Sequence, residues 1–360
     1  MPTDRRVTDP RLISDALGEL GRRLESRERL FEELRRAQLE ASDQEAFRDT
    51  VRWPIVSALL DQAGAHLVTL ENGLLFEITA DSRIERAVLL SADRRPDHLW
   101  EPQTTRLVVA LGTSPGDVIV GGAYIGDHAL PIARSRQDRS IPGTVHAFEA
   151  MTVKYDQLVR NIDLNRASNV VARHNALWDV SDAELGLAGP AALASCGPPG
   201  PGAEAVVSIT IDDYVRRERL PRVGLITLDI EGGEEKALAG AAAVLGRDPD
   251  EAPNVVLEVH RDYVDWSDGL ENAPVLRLLG DLGYELYAIR DYQDNLGMRE
   301  CPIEIIPADS VYLEGPPHGF NMLATKRLGL PEEHDLRVVR GVSPKLLLHR
   351  NDGRHEPVHS

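Results

Sequence analysis

The sequence predicts an α/β fold: a mostly parallel sheet with helices on both faces, preceded by a helical and β-hairpin extension. Two observations carry this. From Asp117 onward, short β-rich runs alternate with segments of helical length, the pattern left by parallel strands joined through crossover helices. Before Trp100 the pattern differs: an amphipathic helix is followed by an Asn-Gly hairpin.

Length and composition bound the reading. The chain has 360 residues, room for one elaborated domain or two smaller ones. We divide it into an extension (1–99) that oligomerises or covers an acceptor site, a main domain (100–328) and a tail (329–360). Hydrophobic residues are 42% and charged residues 27%, which excludes wholesale disorder. The net charge of −18 repels phosphate backbones and anionic lipid, so neither nucleic acid nor membrane is expected as a partner. No apolar run approaches the roughly 20 residues of a membrane span, and MPTDRRVTDPR lacks the apolar core of a signal peptide, so the protein is expected in the cytoplasm. Cys196 and Cys301 are far apart without CxxC or histidine-rich company, which suggests neither a disulfide framework nor a structural zinc.

Thr8-Asp9-Pro10 reads as a helix start, and Ile13, Leu17, Leu20, Leu24, Phe31 and Leu34 then recur at helical spacing toward Glu40. A dimerisation helix and a helix packed on its own domain are both open readings. Residues 42–63 form a second helix interrupted at Pro54. His66 to Thr69 and Leu74 to Thr79 flank Glu71-Asn72-Gly73 as a hairpin, and Ile84 to Ser91 adds a third strand. In the main domain the strands are Asp117 to Gly121, Thr144 to Phe148, Asn169 to Arg173, Gly224 to Ile230, Asn254 to Val259 and Tyr284 to Ile289. Helices run from Ile125, from Lys154 to Asn165, from Glu234 to Leu245 and from Pro274 to Leu282. Ala188 to Gly202, rich in Ala, Gly and Pro, reads as a surface loop. Ser310 to Leu313 and Phe320 to Thr325 close the sheet as a hairpin, and Pro331 to Ser360 reads as a loosely packed tail.

Ligands of open parallel sheets bind beyond the carboxyl ends of the strands, so the residues there are the candidates. Gly121, Gly122, Ala123, Tyr124, Ile125 and Gly126 follow an apolar strand, where glycines let the backbone approach a ligand. Glu149 stands 23 residues after Gly126, placed to accept hydrogen bonds from both ribose hydroxyls of a nucleoside. Asp229 and Glu231 end another apolar strand on alternate positions, where they can hold a metal, act as base, orient a substrate or cap the next helix. Glu258 and His260 do the same on the next strand, and a glutamate between strand apolars is costly to bury without a partner.

These residues, read together, resemble the FkbM family of S-adenosylmethionine-dependent methyltransferases from Trp100 to about Lys326. The resemblance rests on Glu101-Pro102, GDVIVGGAYIG (116–126), VHAFEA (145–150), Asn161, Asn165, Asn169-Val170, IDDY (211–214), LDIEGGE (228–234), LEVH (257–260) and HGFN (318–321). It implies a class I methyltransferase fold with a mostly parallel seven-stranded sheet, bound S-adenosylmethionine and O-methylation of a sugar or secondary-metabolite hydroxyl. It also implies that Gly122 to Gly126 wrap the methionine part, that Glu149 followed by Ala150 holds the ribose, and that Asn175, Ala176 and Leu177 lie near the adenine. The sequence departs from the family's first motif, with Val120 at its Asp position and Tyr124 at its Asn position, and Thr227 stands where a lysine is often found.

Methyl transfer to a hydroxyl needs a nucleophile held in line and a base. The first reading is an O-methyltransferase in which Asp229, Glu231 and His260 surround a small-molecule acceptor, with His260 or Asp229 as base. Mg²⁺ on Asp229, Glu231 and Glu258 is the metal variant of that reading, and retained activity in EDTA would dismiss it. The second is a non-catalytic cofactor-binding or oligomerisation partner, motivated by Val120, Tyr124 and the amino-terminal helix. A third, an NAD-dependent dehydrogenase, rests on the spacing of Gly121, Ala123 and Gly126, which the LDIEGG block does not suit. Arginine makes up 36 of the 40 basic residues, a bias that points to a GC-rich bacterial genome and by association to natural-product tailoring.

Overall fold

The computed structural model describes residues 24–42, 44–60, 64–89, 91, 95–189, 194–316, 318–334, 336–347 and 352–358. The expected helix start at Thr8 and the apolar positions Ile13, Leu17 and Leu20 lie outside them. The helix is present from Leu24 to Glu40 (α1), where Leu34, with Leu30 and Phe31, packs with Val56 and Ala80 of its own chain. Helical residues resume at Gln44 and end with α2 (Trp53–Leu60), passing through a wider turn at Arg48–Arg52. That turn directly precedes Pro54, whose missing N–H leaves a carbonyl unpaired one turn earlier.

The hairpin forms as expected, β1 (His66–Thr69) pairing antiparallel with β2 (Leu75–Ile78) through Gly73 at φ +82°. Ile84 to Ser91 is not a third strand; Arg83–Leu89 is a helix, α3. The apolar content of that run suits either element, and the cap decides: the Glu85 N–H donates to Ser82 Oγ at 3.1 Å, which starts a helix.

The main domain continues with α4 (Pro102–Leu111), β3 (Asp117–Gly121), α5 (Ala129–Asp138), β4 (Val145–Phe148), α6 (Thr152–Asn165) and β5 (Val170–Arg173). A small excursion follows: β6 (Ala176–Leu177), β7 (Glu184–Ala188), β8 (Ser195–Gly197) and β9 (Glu204–Ile209). After it come α7 (Ile211–Glu218), β10 (Val223–Leu228), α8 (Glu234–Ala239), α9 (Ala242–Leu245), β11 (Asn254–Val259), α10 (Pro274–Asp281), β12 (Glu285–Ile289), β13 (Glu304–Pro307), β14 (Phe320–Thr325) and β15 (Arg337–Val338).

Nine strands form the central sheet, in the order β5-β4-β3-β10-β11-β14-β12-β13-β15. The strands from β5 to β11 are parallel, and β14 runs antiparallel to both its neighbours. Counting β3, β4, β5, β10, β11, β12 and β14 along the chain as one to seven, the spatial order is 3-2-1-4-5-7-6. Apolar side chains of β10 divide between the faces: Leu225 packs with α4, α5 and the hairpin, and Ile226 and Leu228 pack with α7 to α10.

Three further expectations are corrected. Residues 188–202 are not only a loop, because β8 pairs with β7, which pairs with β9, in a second sheet of four strands. Ser310 to Leu313 forms no strand; the residues that pair are Glu304–Pro307, and they extend the edge past β12, so the sheet has two strands more than the expected seven. The segment after Pro331 is not loosely packed where it is described. β15 pairs with β13, and the buried Arg290 donates to the carbonyls of Ser343 (2.8 Å), Arg354 (3.0 Å) and Glu356 (2.8 Å). A guanidinium fork holds this tail, and hydropathy periodicity carries no trace of it.

The extension docks on α6 through amides. Asn161 Oδ1 accepts from Glu77 N–H at 2.7 Å, Asn165 Oδ1 accepts from Leu75 N–H at 2.8 Å, and Gln157 Nε2 donates to Glu77 O at 2.8 Å. Amides four residues apart on a helix recur every ~6 Å, close to the ~6.8 Å between alternate residues of a strand, so α6 reads the edge of β2 as a neighbouring strand would. Among the described residues, no helix is long and apolar enough to cross a membrane.

Candidate active site

The ends of β3, β4, β10 and β11 converge on one pocket of about 1010 Å³, its open mouth included. On its first side, β3 is buried throughout and ends at Gly121, where a methyl would stand 2.8 Å from Leu177 Cδ1. Gly122 has φ +72°, and a methyl there would lie 1.7 Å from the Asp229 carbonyl oxygen, so glycine alone fits. Both line the pocket with Tyr124. Ala123 and Ile125 are fully buried beneath this turn, and Gly126, at φ +95°, closes it against Leu130 and Leu158. None of these three lines the pocket.

Tyr124 occupies the left-handed region at φ +47° and is tied at both ends. Its N–H donates to Glu149 Oε2 at 2.8 Å and its hydroxyl to Glu85 Oε1 at 2.7 Å. Glu85, on α3 of the extension, also takes Lys154 Nζ at 2.6 Å, and the ammonium lies 4.7 Å from the centre of the Tyr124 ring. Burial pushes the Glu85 carboxyl up, but the Lys154 charge, with bonds from Lys154, Tyr124 and Thr79, outweighs it and holds it down to about 2. The departure at the family's Asn position therefore has its own partners, supplied from 39 and 30 positions away.

Glu149 follows β4, mostly buried, and its two oxygens each accept one backbone bond, Oε2 from Tyr124 and Oε1 from Met151 at 2.9 Å. Burial pushes its carboxyl up to about 7, against those same bonds. Ala150, Asn175, Ala176 and Leu177 line the pocket beyond it. Leu187, Ala194 and Cys196, from the second sheet, complete that wall; sequence reading missed them, because their run looks like loop and strand pairing alone brings it here. Burial, with the Glu149 charge, raises the Cys196 thiol to about 11, which keeps it an unreactive wall group.

The opposite side is acidic. Asp229 opens onto the pocket at the end of β10 and is encircled by protein; that enclosure, with the charge of Asp127, pushes its carboxyl up to about 6. Glu231, also lining, stands at φ +53° and is raised to about 8 by burial and by Asp229 and Glu234. Neither caps the following helix. Glu234, the first residue of α8, ties down the turn before it instead, accepting from Ile230 N–H at 2.9 Å and Gly232 N–H at 3.0 Å. Glu258 of β11 lies beside them, one oxygen of each of the three within 4.8 Å of the others, and it is raised well above the usual carboxylate range by burial and the surrounding carboxylates.

Asn321 of β14 stands opposite Glu258 in register and donates at 2.7 Å to Glu101 Oε2. Glu101 is buried at φ +48° before α4, and burial, Asp291 and Asp229 raise it strongly. Among the described residues, no lysine, arginine or histidine lies within ion-pairing distance of Glu101, Asp229, Glu231 or Glu258. His260 is not brought into this group. β11 ends at Val259, and the His260 ring turns to accept from Asp262 N–H at 3.0 Å, outside the pocket lining.

A 3-2-1-4-5-7-6 sheet carrying a glycine turn and a carboxylate at the ends of its first two strands is the class I methyltransferase fold, with its ligand site beyond the strand ends. Residues 121–286 match the family described as methyltransferase FkbM domain, and this part of the chain is a member of that family. This stretch is therefore an S-adenosylmethionine-dependent methyltransferase domain. No curated protein matches it. Among solved structures it is similar to precorrin-6y C5,15-methyltransferase from Geobacter metallireducens (12% identity, 62% of this chain and 89% of that chain, TM-score 0.33). It is also similar to TYW2 from M. jannaschii in complex with AdoMet (13%, 72% and 84%, TM-score 0.36) and to an O-methyltransferase from Bacillus cereus in complex with SAH (14%, 62% and 80%, TM-score 0.34).

The residues present fit the cofactor. Gly121 and Gly122 leave a cradle that a methyl group would fill, Glu149 keeps lone pairs free for two hydroxyls, and Ala176 and Leu177 offer an apolar wall.

Proposed function

We propose that this protein is a cytosolic O-methyltransferase that methylates a hydroxyl of a small molecule, a sugar or secondary metabolite. The observation that carries the reading is the division of one pocket into a cradle around Glu149 and a face of carboxylates around Asp229, which suits a polyhydroxylated acceptor beside the cofactor. S-adenosylmethionine, when bound, supplies an electrophilic methyl group on a sulfonium. Gly122 and Tyr124 shape the turn that receives it, and Glu149 accepts from its ribose. Asp229, raised to about 6, accepts the hydroxyl proton; a base with this value is mostly ionised at neutral pH yet still basic enough to act. His260, outside the lining, has no part in this step.

The test is isothermal titration with S-adenosylmethionine and S-adenosylhomocysteine, followed by methyl transfer to a panel of glycosylated acceptors. Glu149→Ala is expected to weaken cofactor binding about 10- to 100-fold, as loss of charge-assisted bonds does. Asp229→Asn is expected to leave that affinity in place and to lower turnover about 10²- to 10⁴-fold. Unchanged turnover in Asp229→Asn would remove it as base.

A further inference from the structure

We infer that Asp229 and Glu231, on the acidic side of the pocket, and Glu258 just outside its lining together form a binding site for one divalent cation. Two oxygens on one ion at 2.0–2.6 Å are never more than about 4 to 5 Å apart, and one oxygen from each of these residues lies within 4.8 Å of the others. The donors are all carboxylates, with neither sulfur nor imidazole among them, which selects a hard ion of the Mg²⁺, Mn²⁺ or Ca²⁺ type.

Thr227 points to the ion independently. It stands on β10 two residues before Asp229, which follows the strand's end, and lines the same pocket. It is 4% exposed, and its Oγ1 is buried without a hydrogen-bond partner. A buried hydroxyl lacking a partner is costly, and a water on the ion is the partner that this position offers, since small divalent ions retain part of their water shell. Room for the carboxylates is kept by Gly319, where a methyl would stand 2.1 Å from Glu258 Oε1. Asn321, opposite Glu258, is occupied by Glu101 and leaves Glu258 to the ion.

The ion's role rests on the proposed function: an acceptor oxygen completing its shell would be oriented and made more acidic. Its binding does not, and is tested without substrate. The full-length protein, stripped with EDTA and dialysed, is titrated with Mn²⁺ while free Mn²⁺ is read by electron paramagnetic resonance. One saturable, Mg²⁺-displaceable ion per chain is expected. Glu258→Gln and Asp229→Asn, their folding checked by circular dichroism, are expected to weaken it at least about tenfold, and Glu149→Ala to leave it intact. S-adenosylmethionine titrated into the same proteins should show the reverse ranking, so that failure of the cofactor reading and failure of the ion site are told apart. No saturable Mn²⁺ binding up to about 10 mM, or binding indifferent to both carboxylate substitutions, overturns the site. So does exclusive stabilisation by methylammonium, which would assign the carboxylates to an amine-bearing acceptor.

Discussion

The two sides of the pocket are built on opposite principles. On the β3 and β4 side the two side chains that shape the cradle are already paired: Glu149 with two backbone N–H groups, and Tyr124 with Glu149 and Glu85. On the β10 and β11 side, Asp229, Glu231 and Glu258 crowd together with no cation within ion-pairing distance among the described residues. The first side is finished by the chain itself. The second is completed only by what binds there, and the mutual repulsion of its carboxylates makes that incompleteness costly.

If the finished side depends on its backing, the largest effect comes from cutting it. Lys154→Met leaves Glu85 buried beside Tyr124 without its ammonium, and breaking a buried pair in this way costs about 3–5 kcal/mol. Urea unfolding should show it, and Lys154→Met combined with Glu85→Gln should recover part of the loss. An unchanged midpoint in the single variant would mean that Tyr124 is held by packing alone.

Next in size is Gly122→Ala, whose methyl would meet the Asp229 carbonyl. The glycine turn must shift away from β10, and cofactor affinity should fall about 10- to 100-fold by titration, with a smaller loss of stability. Retained affinity would mean that the cradle adapts, which would erase the contrast in rigidity between the two sides.

A third test uses pH. Glu149 must be ionised to accept from ribose hydroxyls, and burial places its carboxyl at about 7. Affinity for S-adenosylhomocysteine should fall toward tenfold per unit as pH drops below about 7 and be flat above about 8. In Glu149→Gln the slope should vanish. The same shift acts on stability with the opposite sense: its contribution is present below the ordinary value of 4.5 and is lost as pH rises through about 7.

The finished side was the more legible in sequence. Its glycines and Glu149 follow strands that are apolar throughout, and strand-end logic finds them. The support behind it was not, because Glu85 lies 69 positions from Lys154 and its run was expected as a strand. The wall residues Leu187 and Cys196 were hidden in the same way, in a Gly- and Pro-rich stretch that pairing turns into sheet. On the acidic side the carboxylates were legible and their division of labour was not. Asp229, Glu231 and Glu234 fall within six consecutive positions, and only the fold shows that Glu234 takes the N–H groups of the turn before the helix and leaves the other two to the pocket.

The smallest expected effect bears on the unfinished side and has a distinctive sign. With crowded carboxylates and no cation, the chelated protein is held below the stability its sheet would otherwise give, and removing one charge relieves part of that. Glu258→Gln should therefore stabilise the EDTA-treated protein by about 1 kcal/mol at pH 8, a gain typical of relieving an unfavourable site. The raised carboxyl of Glu258 makes the gain shrink as pH falls and wild type takes up the proton itself. Adding millimolar Mg²⁺ should reverse the ranking, because the ion stabilises the form that binds it. A substitution that destabilises in EDTA would show that Glu258 is held by packing contacts rather than strained by its neighbours, and the two sides would then be equally complete without ligand.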